Sequence, residues 1–219
     1  MKQFLKNNIL YLAGLSLLLV LGLCFYFNIS KGDIILFFSE RRSTSLNYFF
    51  RFSNSLGEGY AYLIIGLGLL LYRFSHALMI LVTGFCTMLL SQFLKNFFGK
   101  PRPAIYFSEL KGQPEAIIPV PEVELVTSWT SSFPSGHTMA AFALYGLLAF
   151  SVKRKDLKLL FLLMASLAGI SRIYLGQHFL QDVLAGAFFG TLVAMLMYAL
   201  QCWLGQENRL GRRGLLGLR

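Results

Sequence analysis

The sequence predicts an all-α membrane protein: a bundle of six transmembrane helices, with further helices in the membrane interface and one long external loop. Two observations lead to this prediction. The first is composition, because 56% of the 219 residues are hydrophobic, 14% are charged, and the mean hydropathy is +0.60. These values are wrong for a soluble domain. The second is that six apolar runs without a charged residue follow one another along the chain.

The six runs differ in length. Three approach the roughly 20 residues that cross a bilayer as a helix: Ile9–Phe27, Ala77–Leu94 and Val183–Leu204. Three are shorter and need interfacial residues at their ends to cross: Gly59–Tyr72, Thr138–Val152 and Leu159–Ser171. Lys2 and Lys6 precede the first run, as in a signal peptide. The exit LCFYFNIS lacks a small-x-small cleavage site, so we interpret this run as an uncleaved helix.

The distribution of basic residues predicts the orientation. Six spans place both termini on one side of the membrane, and that side carries 11 of the 20 Lys and Arg residues against two acids. This excess identifies the side as cytoplasmic. We therefore predict a single membrane-embedded domain over residues 1–219, with cytoplasmic tails at 1–8 and 205–219. Because the charges are scattered over several loops, we expect no nucleic-acid partner.

Two segments remain for the external face. Asn28–Glu58 places aromatic clusters beside charges, as in helices that lie in the membrane interface. A packed re-entry into the bundle is an equal alternative for this segment. Residues 95–136 contain all six prolines of the chain, so helix is not expected through most of this loop. A loop of this length usually carries function.

Three polar clusters meet the membrane at this external face: KNFFGKPRP after the third span, PSGH before the fourth, and SRIYLGQHFLQD between the fifth and the sixth. Taken singly, each residue has a structural explanation, such as an interfacial anchor or a carboxylate in a first helical turn. Together, Lys95, Arg102 and Arg172 converge on a helix start, whose free backbone N–H groups attract an anion. Ser135 adds a hydroxyl, and Gly136 allows close backbone approach. The combination predicts a site for a tetrahedral oxyanion such as phosphate.

The spacing within the last cluster indicates how such an anion could react. His178 and Asp182 are four residues apart, so they share a helical face if the sixth span begins near Gln177. The carboxylate can then accept one imidazole N–H, which leaves the other nitrogen of His178 free to attack. His137, at the start of the neighbouring span, is the candidate for protonating a leaving alkoxide.

The three clusters resemble the three-part signature of the type 2 phosphatidic acid phosphatases, which share their site with vanadium-dependent haloperoxidases. The motifs match in order and without substitution: Lys95-x6-Arg102-Pro103, Pro134-Ser135-Gly136-His137 and Ser171-Arg172-x5-His178-x3-Asp182. The resemblance implies that His178 is the nucleophile, that Asp182 orients it, and that His137 is the general acid and later the base. It also implies that the phosphoryl oxygens are held by the other signature residues: Lys95, Arg102, Ser135, Gly136 and Arg172.

By this resemblance, the protein is expected to be a lipid phosphatase of the cytoplasmic (inner) membrane that works through a phosphohistidine on the external, periplasmic face. Its substrate would be a phospholipid phosphate, an isoprenyl phosphate or diphosphate, or a lipid A phosphate in the bilayer. No metal or other cofactor is expected, because the sequence has no acidic cluster to hold one. Two alternatives stay open: a vanadate-dependent haloperoxidase, and a non-enzymatic transporter or scaffold with a degenerate site. The particular lipid and the oligomeric state are not predicted.

Overall fold

The computed structural model describes residues 2–71, 73–128 and 130–207. The fold is all-α, as predicted, and this part of the chain contains nine α-helices. They follow in the order α1 (Lys2–Asn28), α2 (Asp33–Glu40), α3 (Thr44–Ser55), α4 (Gly59–Leu70), α5 (Phe74–Phe98), the single turn α6 (Pro103–Ile105), α7 (Gly136–Ser151), α8 (Lys155–Tyr174) and α9 (Leu180–Glu207).

Within the described residues, each of the six predicted apolar runs forms a helix, but the helices differ in length. Among the described residues, four segments are long and apolar enough to cross a membrane: α1, the segment Phe74–Leu110 that begins with α5, α8, and Leu180–Leu204 within α9. The helices α4 and α7 have 12 and 16 residues, or about 18 and 24 Å at 1.5 Å per residue. The bilayer core is about 30 Å thick, so length alone does not carry these two across it.

Helix α7 lies at the centre of the bundle, and α9 packs closely against it. The close approach depends on Gly186 and Gly190, because a Cβ atom would lie 2.7 Å from the Ser135 carbonyl oxygen and 2.3 Å from that of Met139. Small residues four positions apart commonly allow such contact between membrane helices. As a result the first turns of the two helices meet, and the Ser135 N–H donates to the Asp182 carbonyl oxygen at 3.0 Å.

The bundle has two chemically different ends. At one, which we call the basic end, Lys158 of α8 donates to Asn8 Oδ1 of α1 and to the Ala149 carbonyl oxygen of α7, both at 2.6 Å. Residues 2–8, predicted as a cytoplasmic tail, form the first turns of α1, and Asn8 is buried in this contact. The predicted tail 205–219 lies outside the described residues from position 208 onward. The opposite end, which we call the loop end, contains the starts of α4, α7 and α9.

Residues 28–58 fit parts of both alternatives. On one side, Phe50 of α3 stacks on Tyr174 of α8 with ring centroids 4.2 Å apart, and Ser39 of α2 accepts a hydrogen bond from the backbone of Ile118. On the other side, Tyr48 and Phe52 remain 65% and 68% exposed. The segment is thus packed against the bundle on one face and presents aromatic rings on the other.

The predicted loop 95–136 is more ordered than its prolines indicate. Its first residues continue α5 to Phe98, and Gly99 ends the helix in the left-handed conformation at φ 55°. Tyr106–Leu110 form a π-helical turn directly after α6, and Pro114–Ala116 form a 3-10 turn. Prolines at the start of two of these turns explain the result, because proline is tolerated in a first helical turn. The described residues between Ala116 and Ser135 are not helical, as expected.

Candidate active site

The structure brings all eight predicted site residues to the loop end. Each is placed by a helix terminus, where backbone groups are unpaired and side chains can converge. They are Lys95 in the last turn of α5, Arg102 just before α6, Ser135 as the N-cap of α7, Gly136 and His137 as its first residues, Arg172 in the last turn of α8, His178 in the turn 175–179, and Asp182 in the first turn of α9.

The relation between His178 and Asp182 differs from the prediction. Helix α9 begins at Leu180 instead of near Gln177, so His178 precedes the helix and does not share a helical face with Asp182. The cause is the preceding turn, in which Gly176 adopts a left-handed φ of 69° and the N–H of His178 donates back to the Arg172 carbonyl oxygen. The His178 Nδ1 atom lies 3.6 Å from Asp182 Oδ2, which is too long for a direct hydrogen bond.

Ser132, which the sequence interpretation missed, lies between these two side chains. Its hydroxyl donates to Asp182 Oδ2 at 2.5 Å and lies 3.2 Å from His178 Nδ1. The N–H of Phe179 also donates to Asp182 Oδ2, at 2.9 Å. All four residues are buried. The one signal in the sequence was the position of Ser132 just ahead of the PSGH motif, which does not distinguish it from Ser131.

The imidazole of His178 is neutral over a wide pH range. The residue is 2% exposed, and this burial lowers its pKa to about 4 because the imidazolium loses its hydration. The neutral ring can attack through a nitrogen lone pair. Its Nε2 atom makes no hydrogen bond to the described residues, so this nitrogen is available to a substrate.

The three basic side chains of the site form no ion pair with a described carboxylate. Arg102 and Arg172 are buried, with 9% and 8% of their surface exposed. Lys95 lies close to the start of α7, because its Nζ atom is 3.6 Å from the position that a Cβ atom on Gly136 would occupy. Among the described residues, no carboxylate oxygen lies within 4 Å of any of the three. All three charges act electrostatically on His137. Buried cations without a carboxylate partner form a site that attracts an anion.

Neutral partners orient the two arginines. Arg102 Nε donates to Thr130 Oγ1 at 3.1 Å, and its Nη1 donates to the Gln177 carbonyl oxygen. Arg172 Nη1 donates to Asn54 Oδ1, while its buried Nε has no partner among the described residues. Asn54 is a second residue that the sequence interpretation missed, because it precedes Arg172 by 118 positions. Hydrogen bonds to neutral groups fix the guanidinium planes and leave their charge available to a ligand.

A cavity of about 700 Å³ leads away from this anion site between α4 and α5; we call it the α4–α5 cavity. Its polar mouth is formed by Lys95, Gly136 and His137, and its far part is lined by apolar side chains such as Leu81 and Phe85. The backbone before α4 passes close to the mouth, where a Cβ on Gly57 would lie 2.8 Å from the His137 carbonyl oxygen. A polar site thus continues into an apolar space.

Comparison with known proteins agrees with this arrangement. The model of the PAP2 superfamily matches residues 74–205. The chain is 36% identical over 145 residues to phosphatidylglycerophosphatase B of Bacillus subtilis (strain 168), covering 61% of this chain and 63% of that protein. It is 29% identical over 165 residues to the bacitracin transport permease protein BcrC of Bacillus licheniformis, covering 68% of this chain and 77% of that protein.

A solved structure agrees over almost the whole chain. The crystal structure of a transmembrane PAP2-type phosphatidylglycerolphosphate phosphatase from Bacillus subtilis superimposes with a TM-score of 0.63 at 25% identity. The alignment covers 96% of this chain and 100% of that one. The helical architecture is therefore that of a multi-pass membrane protein.

Proposed function

This chain belongs to the PAP2 superfamily, and we propose that it is a membrane lipid phosphatase that hydrolyses a phosphate monoester or diphosphate of a lipid. One observation carries the proposal: the anion site, through Lys95 and His137, opens into the α4–α5 cavity, whose far part is lined by apolar side chains. A lipid phosphate fits both parts, because its phosphate can lie against the three cations while its hydrocarbon tail lies in the cavity. The relative named phosphatidylglycerophosphatase B supports a lipid phosphate as substrate.

The first chemical step is attack by His178 Nε2 on phosphorus. An N–P bond forms and the bond from phosphorus to the lipid oxygen breaks, giving a phosphohistidine and a leaving oxygen that takes its proton from His137. Lys95, Arg102 and Arg172 stabilise the charge on the equatorial phosphoryl oxygens. The Ser135 hydroxyl and the Gly136 N–H, at the start of α7, add further donors.

The second step is hydrolysis of the phosphohistidine. His137, now neutral, removes a proton from water, and the water oxygen attacks phosphorus as the N–P bond breaks. Inorganic phosphate leaves and His178 returns to its neutral form. Through both steps Asp182 stabilises the positive charge on the His178 ring, and Ser132 holds the carboxylate in place. The cations neutralise the phosphate in this scheme, so it requires no metal ion.

We also propose six membrane crossings, with both termini in the cytoplasm and the loop end outside. The excess of Lys and Arg over Asp and Glu at the basic end supports this orientation, because basic residues collect on the cytoplasmic side. The short helices α4 and α7 complete the six if the flanking interfacial residues bring their ends to the membrane surface.

Labelling of single cysteines tests the orientation. In a background lacking Cys24, Cys86 and Cys202, a cysteine that replaces Gln113 should react with an impermeant maleimide in intact spheroplasts. One that replaces Asp156 should react only after lysis. The reversed pattern would place the active site in the cytoplasm.

Phosphate release by detergent-solubilised protein tests the function. We expect turnover of at least one member of a panel containing phosphatidate, phosphatidylglycerophosphate, isoprenyl mono- and diphosphates and lipid A phosphates. Activity should survive EDTA and be inhibited by vanadate, which occupies an oxyanion site. Bromide oxidation with vanadate and peroxide would instead indicate a haloperoxidase. A protein that is folded but inactive in both assays would favour transport, which the similarity to BcrC keeps as the second candidate.

A further inference from the structure

The mouth of the α4–α5 cavity contains a carboxylate that the proposed reaction does not use. Glu58, the residue before α4, lines this cavity together with Lys95, Gly136 and His137. Its position follows from the local fold, because Gly57 packs against the His137 carbonyl oxygen. Glu58 therefore lies next to the start of α7, at the part of the cavity that His137 also lines.

One oxygen of this carboxylate is fixed and the other is free of protein partners. Glu58 Oε1 accepts a hydrogen bond of 2.7 Å from Asn54 Nδ2, and the oxygen of the same Asn54 amide accepts from Arg172 Nη1. Among the described residues, no basic group lies within 4 Å of the Glu58 carboxylate. A negative charge is thus positioned by a neutral amide and not neutralised by a contacting cation.

The location of Glu58 relative to the reaction determines which part of a substrate meets it. His137 must lie next to the leaving oxygen to protonate it, and the hydrocarbon tail continues from that oxygen into the α4–α5 cavity. Glu58 consequently faces the first atoms of the leaving group. In a phosphate monoester these atoms are an uncharged alkyl or glycerol segment, whereas in a diphosphate they are a second, negatively charged phosphoryl group.

We propose that Glu58 is a specificity residue that selects lipid phosphate monoesters and disfavours lipid diphosphates, through like-charge repulsion at the leaving-group side of the site. This inference rests on the proposed phosphatase function and narrows its substrate class. Repulsion between two charges a few ångströms apart, at the dielectric of a partly exposed site, corresponds to about a tenfold change in binding. In the proposed reaction the three cations hold the phosphoryl group that is transferred, which both substrate classes share.

The test compares farnesyl phosphate with farnesyl diphosphate in neutral detergent micelles, with initial product formation followed by chromatography. The wild-type enzyme should hydrolyse the monophosphate with at least about tenfold higher kcat/KM. Glu58→Gln keeps the shape and the acceptor for Asn54 but removes the charge. It should raise kcat/KM for the diphosphate about tenfold and change that for the monophosphate less than about threefold.

Two further variants make the outcome decisive. Glu115→Gln removes an equal charge from the exposed part of the external loop, outside the α4–α5 cavity, and should leave both kcat/KM values unchanged. Glu58→Ser repeats the charge removal if the glutamine variant does not fold. An equal effect of both Glu58 variants on the two substrates, or a wild-type preference for the diphosphate, would overturn the specificity role while leaving the phosphatase function intact. Hydrolysis of neither lipid, nor of any other in the wider panel, would overturn both.

Discussion

The two ends of the bundle each bury a basic side chain, and they treat it differently. At the basic end, Lys158 is 2% exposed and its ammonium group donates to Asn8 and Ala149 at 2.6 Å. At the loop end, Arg172 is 8% exposed, donates to the neutral amide of Asn54, and retains a buried Nε without a partner among the described residues. Since an unpaired buried donor is costly, we infer that Lys158 joins helices whereas Arg172 is arranged for a ligand.

The largest effect is expected at the nucleophile of the loop end. His178→Asn should lower turnover at least about a thousandfold, because it removes the nitrogen that forms the covalent intermediate. The variant should still insert and unfold at nearly the wild-type temperature, which thermal unfolding in detergent would measure. A variant that kept a tenth of the wild-type rate would rule out the covalent role.

Substitution of Arg172 and of Lys158 tests the comparison directly. Arg172→Gln should lower kcat/KM by about 10²–10³, because it removes a charged donor to the phosphoryl oxygens, without lowering the unfolding temperature. Lys158→Met should leave kcat/KM of the folded protein within about threefold but destabilise it by about 1–3 kcal/mol, since Asn8 and Ala149 lose their donor. Initial rates and thermal unfolding of both variants measure this. A loss of activity in Lys158→Met together with a loss of stability in Arg172→Gln would contradict the comparison.

A smaller effect is expected at Ser132. Ser132→Ala should lower kcat about ten- to a hundredfold, because Asp182 loses one of its two donors to Oδ2 but keeps the N–H of Phe179. Ser131→Ala is the matched control, since among the described residues the Ser131 hydroxyl hydrogen-bonds only to the backbone of Lys100 and Phe133. Equal rates for the wild type and the Ser132 variant would show that the bridge is dispensable.

The smallest expected effect is a shift of the acid limb of the pH profile. Because burial lowers the pKa of His178 to about 4, the ring stays neutral and nucleophilic as the pH falls past the ordinary imidazole value of about 6.5. After correction for the ionisation of the substrate phosphate, kcat/KM, which reports the free enzyme, should hold its plateau down to about pH 5.5. A half-maximal value near pH 6.5 would contradict the burial of the nucleophile.

Local patterns in the sequence were enough to predict the all-α architecture and the residues that the three polar clusters bring to the loop end. Apolar runs predict helices directly, because a chain in hydrocarbon must satisfy its own backbone hydrogen bonds. The residues of the three polar clusters could be named together as site candidates, because each cluster is local and lies at the end of an apolar run. Proline content was misleading within the external loop, since residues 103–110 and Pro114–Ala116 form helical turns that begin at a proline.

The contacts among these residues depend on tertiary packing. Ser132 reaches Asp182 across 50 positions, and Asn54 reaches Arg172 across 118, so no local pattern indicates either pair. Likewise, the start of α9 at Leu180 depends on a turn at Gly176. Because of this turn, His178 and Asp182 do not share a helical face, and Ser132 bridges them instead. Spacing along a helix specifies which side chains can be neighbours, but the packing of separate helices specifies which ones are. Close approach of α7 and α9 at Gly186 and Gly190 is the physical reason that the site forms here.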